Sequence, residues 1–185
     1  MPTGEAVDEQ LAAMGVAASE LDLVLLSHLD CDHANGLSQV KEARRTLVSR
    51  AELEAATRGR PAAKVRFNPA WWEDTGLDTF EWNGTEGPFR RSCDVFGDDS
   101  FVMIHIPGHT EGLCALRIKG ADGRFVLLYA DGGYAALSWE ALLTSGIAVN
   151  REQQLKWIRD MSLDEKCIES LATHDPGIQP HVIEL

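Results

Sequence analysis

The chain has 185 residues, 44% hydrophobic and 25% charged, which suits a single globular domain and excludes a disordered or fibrous polypeptide. A formal charge of -12 sets it against nucleic acid and anionic lipid surfaces, since Lys41, Arg44 and Arg45, the one small basic group, fall at helical spacing and read as a solvated face. A small-molecule substrate is the expectation.

No stretch reaches the roughly 18 apolar residues of a membrane span, and the opening MPTGEAVDEQ has neither a basic nor an apolar targeting segment. Cys31, Cys93, Cys114 and Cys167 form no CxxC pair, so reduced thiols and a cytoplasmic location are expected.

In chain order, EAVDEQLAAM has helical periodicity and is stopped at Gly15. LDLVLL, residues 21–26, is a continuous apolar run suited to a buried strand that delivers the chain to His28. GLSQVKEARRTLVS reads as a helix returning to a strand near Leu47 to Ser49, and AELEAATRG as a short helix stopped at Gly59. Residues 61–97 lose the pattern and gather Phe67, Trp71, Trp72, Phe80, Trp82 and Phe89, an aromatic-rich insertion in one domain spanning 1–185. FVMIHIPGH, LCALRIKG and RFVLLYAD read as strands, WEALLTSG and REQQLKWIRDM as helices, and CIESLATHD as a strand ending at His174. Strands interleaved with helices define an α/β layered domain with its loops gathered at one edge.

His28, Asp30, Asp32 and His33 crowd into SHLDCDH, where a strand gives way to a loop. In extended chain, residues two apart share a face, so His28 and Asp30 can converge on one cation while a turn sends Asp32 and His33 toward another. His109 in IPGHTEG, Asp131 in LLYADGG and His174 in LATHDP each close a strand-like run. A lone histidine after a strand is ordinarily structural; three such donors together with HLDCDH point to a metal centre.

HLDCDH, PGHTEG, YADGG and ATHD, in that order, resemble the motifs of the metallo-β-lactamase superfamily, from about Gly4 to the C-terminus. The resemblance implies a four-layer αββα sandwich, with His28, Asp30 and His109 on a first ion, Asp32, His33 and His174 on a second, and Asp131 between them. Two divalent cations, zinc foremost, held about 3.5–4 Å apart would acidify a shared solvent molecule and polarise a carbonyl or phosphoryl oxygen. Asp32 and Asp131 are thereby assigned to catalysis as well as to metal binding.

Two departures from the family pattern stand out. Asp30 occupies the place of the second histidine of HxHxDH, which removes one positive charge from the formal total of the centre and admits iron or manganese beside zinc. Only 27 residues precede His28, so some N-terminal strands of the fold are expected to be lacking, with either further chain upstream or a homodimer partner covering the exposed edge.

Tyr134, three residues after Asp131, is similar to a substrate-positioning tyrosine of the N-acyl-homoserine lactonase branch, and is assigned to hydrogen bonding of an ester carbonyl or its oxyanion. Hydrolysis of a small ester or lactone is the leading expectation. The alternatives are a thioester or phosphodiester hydrolase of the same fold, a di-iron redox protein, and a metal-binding homologue without catalysis. Trp71, Trp72, Phe80 and Trp82 either line an acyl pocket or pack their segment onto the core, the second being favoured. Cys31 is expected to point into the core, His105 to be a core or supporting residue, His181 to lie on the surface, and Thr110 and Asp175 to orient the imidazoles.

Overall fold

The computed structural model describes residues 4–58, 66–161 and 164–185, in two compact units, residues 1–80 and 81–185. Both units mix helices and strands, as the α/β pattern predicts.

In the first unit, helix α1 (Val7–Ala13) is closed at its N-terminus by Glu9, whose carboxylate accepts from the Gly4 and Ala6 N–H groups. It ends where Gly15 adopts φ +76°, the left-handed geometry a glycine takes after a helix. The strand expected over residues 21–26 is shorter: Ala18–Glu20 forms a 3-10 turn and β1 is only Val24–Leu25. The helix expected after His33 is likewise replaced by the four-residue α2 (Cys31–Ala34) and a 3-10 turn at Leu37–Val40. Gly36, with poor helix propensity, falls between them.

Strand β2 (Thr46–Ser49) is buried throughout and runs into α3 (Arg50–Thr57), where the Ser49 hydroxyl caps the Glu52 N–H. The Gly59 expected to stop this helix lies outside the described residues. Residues 69–71 make a 3-10 turn, and β3 (Leu77–Phe80) completes a parallel sheet in the order β1-β2-β3. Its core gathers Leu29, Ala34, Leu37, Val40, Val48, Phe67 and Trp72, with Trp71 packed against it.

The second unit is one five-stranded sheet in sequence order: β4 (Ser92–Asp94), β5 (Phe101–His105), β6 (Cys114–Lys119), β7 (Phe125–Ala130) and β8 (Cys167–Ala172). Neighbours are antiparallel except β7 and β8, which are parallel. Such a pairing needs a crossover, and the connection holds the one-turn α4 (Leu137–Glu140) and the longer α5 (Arg151–Met161). WEALLTSG is therefore helical only at its start. Trp157 and Ile158 of α5 are buried against Val102, Ile104, Ile106, Leu127 and Tyr129.

The stretch read as an insertion, residues 61–97, contributes β3 to one sheet and β4 to the other. Both strands lie at sheet edges, where short strands with polar residues suffice, and for this reason their periodicity is faint.

Candidate metal centre

In the first unit, HLDCDH occupies the turn from β1 into α2. Leu29 is fully buried in the core, and its N–H donates to Glu52 Oε1 at 3.1 Å, so a buried carboxylate and an apolar anchor fix the backbone between His28 and Asp30. Asp30 stays extended at φ -64°, ψ 159°, immediately before α2 begins at Cys31. The change from strand-like to helical geometry separates the donors as expected: His28 Nε2 lies 3.6 Å from Asp30 Oδ2, and His33 Nε2 lies 3.8 Å from Asp32 Oδ2. The two imidazoles are stacked with centroids 4.0 Å apart. Because the chain is helical from residue 31, strand alternation does not govern Cys31; it is exposed beside Asp32 rather than in the core.

Asp30 has a partner that its motif does not contain. Arg66 donates from both Nε and Nη2 to the two carboxylate oxygens of Asp30, a two-pronged ion pair shielded from solvent. Its guanidinium also lies 5.6 Å from the Phe67 ring centroid.

In the second unit, the strand ends deliver His109, Asp131 and His174. Asp131 follows Ala130, which holds φ +46°, a conformation costing a non-glycine residue about 1–2 kcal/mol, at a register irregularity between β7 and β8. The kink turns Asp131 out of the strand direction. Its Oδ2 lies 3.3 Å from His109 Nε2 and its Oδ1 lies 3.2 Å from His174 Nε2, so one carboxylate faces two imidazoles with its two oxygens.

The tautomer of His109 follows from its other nitrogen. Nδ1 is 3.1 Å from Ser145 Oγ, and the other two partners of that hydroxyl, Ile147 O and Gln154 Oε1, are carbonyl oxygens. The serine proton must go to a carbonyl, so His109 Nδ1–H donates and Nε2 keeps its lone pair toward Asp131. A lone pair facing a carboxylate oxygen across 3.3 Å is the electronic arrangement of two ligands for a cation. The donor set of this unit therefore fits a metal ion.

Gln154, fully buried, joins the two loops. Its Nε2 donates to the carbonyls of Asp131 and Gly132, and its Oε1 accepts from the Ser145 N–H. Gly108, before His109, runs so close to α5 that a Cβ there would sit 2.5 Å from the Gln154 backbone nitrogen.

Tyr134 presents its ring to both histidines, with centroids 5.9 Å from His109 and 5.2 Å from His174. The other tyrosine, Tyr129, is fully buried against Trp139, and burial raises its phenol pKa, so Tyr134 is the phenol adjacent to the donors. Asp175 does not orient an imidazole: its oxygens accept from the Ala136 and Gly177 N–H groups, which hold its pKa down and tether the loop after Asp131. Thr110 Oγ1 is buried without a hydrogen-bond partner among the described residues, and Ser145 takes the role expected of it. Trp82 packs on His105, which is buried in the sheet, while His181 pairs with Glu169 at the surface.

Four supporting residues were absent from the sequence reading. Gln154 had a signal, being a polar side chain at i and i+3, i+4 spacing with the buried Trp157 and Ile158. Glu52 had one in the Ser49-x-x-Glu52 capping pattern. Ser145 and Arg66 had none, since their partners lie 36 residues away in each case.

The chain belongs to the metallo-beta-lactamase superfamily, whose family description matches residues 1–127. Among curated relatives, it is 26% identical over 177 residues to N-acyl homoserine lactonase AttM of Rhizobium radiobacter, covering 91% of this chain and 63% of that protein. It is 25% identical over 185 residues to a probable metallo-hydrolase of Mycobacterium tuberculosis, covering 94% of this chain and 58% of that one. The chain thus spans less than two thirds of the length of these relatives. The fold is shared with an N-acyl homoserine lactone hydrolase solved with N-hexanoyl-L-homoserine at its catalytic metal centre (TM-score 0.74, 23% identity, 95% of this chain and 64% of that one). It is also shared with AidC, a dizinc quorum-quenching lactonase (TM-score 0.67, 17% identity, 92% and 63%).

Proposed function

We propose that this protein is a metal-dependent hydrolase that opens a small ester or lactone of the N-acyl-homoserine lactone type. The observation that carries the reading is the carboxylate of Asp131, with one oxygen toward His109 Nε2 and the other toward His174 Nε2, the disposition of a ligand shared by two ions. The family match crosses the boundary between the two compact units, which supports treating residues 1–185 as one domain. On that basis His28, Asp30 and His109 would hold a first divalent ion, Asp32, His33 and His174 a second, with Asp131 between them. Zinc is the leading candidate, in keeping with the dizinc relative, and Asp30 admits iron or manganese.

Bound ions would supply Lewis acidity and an acidified water. The chain's own residues do the rest. Ser145 holds the His109 ring in one tautomer. Gln154 and Asp175 hold the backbone on either side of the Asp131 turn. Tyr134, edge-on to both histidines, offers its hydroxyl to the substrate carbonyl and to the oxyanion that develops there. Four free thiols accord with the cytoplasmic location assigned from the sequence.

The test joins elemental analysis of the purified protein with proton release from N-acyl-homoserine lactones followed in a pH-stat. Two ions per chain with lactone opening that a chelator abolishes is the expected result; turnover unaffected by complete metal removal would overturn the proposal.

A further inference from the structure

We propose that Arg66 is a built-in cation of the first metal position, contending with the ion for Asp30 and so making the two positions unequal in affinity. The inference rests on the metal-dependent reading above. Three observations carry it. Asp30 stands where the family has a neutral histidine, and the charge it adds is matched by the one guanidinium on it, so the pair restores the neutrality of an imidazole at that point. The pairing is two-pronged and uses both oxygens, including Oδ2, the atom 3.6 Å from His28 Nε2. Finally, the contact is enclosed: 17% of the Arg66 side chain and 11% of that of Asp30 are exposed, so solvent screens the interaction little.

A guanidinium in this place lowers the electron-donating power of the carboxylate and repels a second cation on it. An ion bound through His28 and Asp30 must therefore share Asp30 or displace Arg66. An ion bound through Asp32 and His33 faces no such competition for its carboxylate from the two-pronged contact, which is made to Asp30. Loading is then stepwise, with the His28–Asp30 position filled last and lost first.

The test uses the full chain, stripped of metal and titrated with zinc against a chromophoric chelator. The wild type is expected to show a tighter and a weaker equivalent. In Arg66→Met the weaker one should tighten by about tenfold or more, the scale on which groups behind metal ligands act, and the tighter one should hold. Thermal melts give an independent readout. Without metal, Arg66→Met leaves Asp30 buried without its counter-ion and should melt below wild type, and zinc should raise its Tm by more than it raises that of the wild type. Arg66→Lys, which keeps the charge and loses the fork, should fall between the two and carries the test if Arg66→Met does not fold without metal. A weaker equivalent that fails to tighten in the folded variants overturns the role of Arg66 alone. Failure of the wild type to take up any zinc, iron or manganese overturns the metal-dependent reading and this inference with it.

Discussion

Gln154 binds the chain at Asp131 through its carbonyl, Nε2 to O at 3.3 Å, while the other end of the same amide accepts from Ser145, the residue that orients His109. One side chain of α5 thereby sets two candidate ligands that come from different strands. Replacing it by leucine leaves two loop carbonyls and the Ser145 amide without their partner in a dry site. Gln154→Leu should lose about 1–3 kcal/mol of stability by urea denaturation and weaken metal binding about tenfold or more by chelator competition.

Asp131 faces both histidines of its unit, so its loss should not be confined to one ion. Asp131→Ala is expected to retain less than one metal per chain by elemental analysis and to lose lactone hydrolysis. Full occupancy in this variant would contradict a shared carboxylate.

Tyr134 meets the two imidazoles through its ring edge, and its hydroxyl is not needed to hold them. Tyr134→Phe should keep its metal content and slow lactone opening about a hundredfold, the scale of a lost oxyanion donor. An unchanged rate would leave Tyr134 as a packing residue.

Gly108 has φ +151° and lies against the backbone of α5. Gly108→Ala would drive a methyl group into the Gln154 main chain, which cannot yield as a flexible side chain could. A loss of about 2 kcal/mol or more is expected in equilibrium unfolding, together with weaker metal binding through displacement of His109.

His105 is buried on Trp82 and Phe89, and desolvation depresses its pKa below the ordinary 6.5. The ring is neutral in the fold, so its contribution to stability is complete above 6.5. It is lost as pH falls below that value, because the unfolded chain takes up a proton that the folded ring refuses. His105→Gln, which preserves a donor toward the Glu111 carbonyl, should flatten the decline of the urea midpoint on the acid side of 6.5 by up to about 1.4 kcal/mol per pH unit.

Strands β5, β6 and β7 were legible in the sequence because they are long, apolar and bounded by Gly and Asp turns. The donors were legible because they sit at strand ends, where packing gives no reason for histidine and aspartate. What escaped was set by tertiary contact. β1 needs only two residues because β2 lies beside it, and Leu26 continues the pairing through its N–H to the Leu47 carbonyl. Cys31 escaped its expected burial because the helix starts one residue after Asp30, a boundary that local pattern does not mark. The Asp30 substitution was visible, but the arginine that answers it comes from 36 residues downstream.

Asp131 and His174 leave the sheet side by side, one residue beyond Ala130 and two beyond Ala172, which are paired partners in the parallel β7–β8 ladder. Their spacing is a matter of strand register, and a slip of one residue would carry them about 3.3 Å apart along the strand. The long excursion between them, residues 132–166, serves the centre through a few tethers, Ser145 and Gln154 foremost. Elsewhere along that excursion, length and side chains are free to drift without disturbing the donors, and it is there that relatives with the same chemistry would diverge in what they accept.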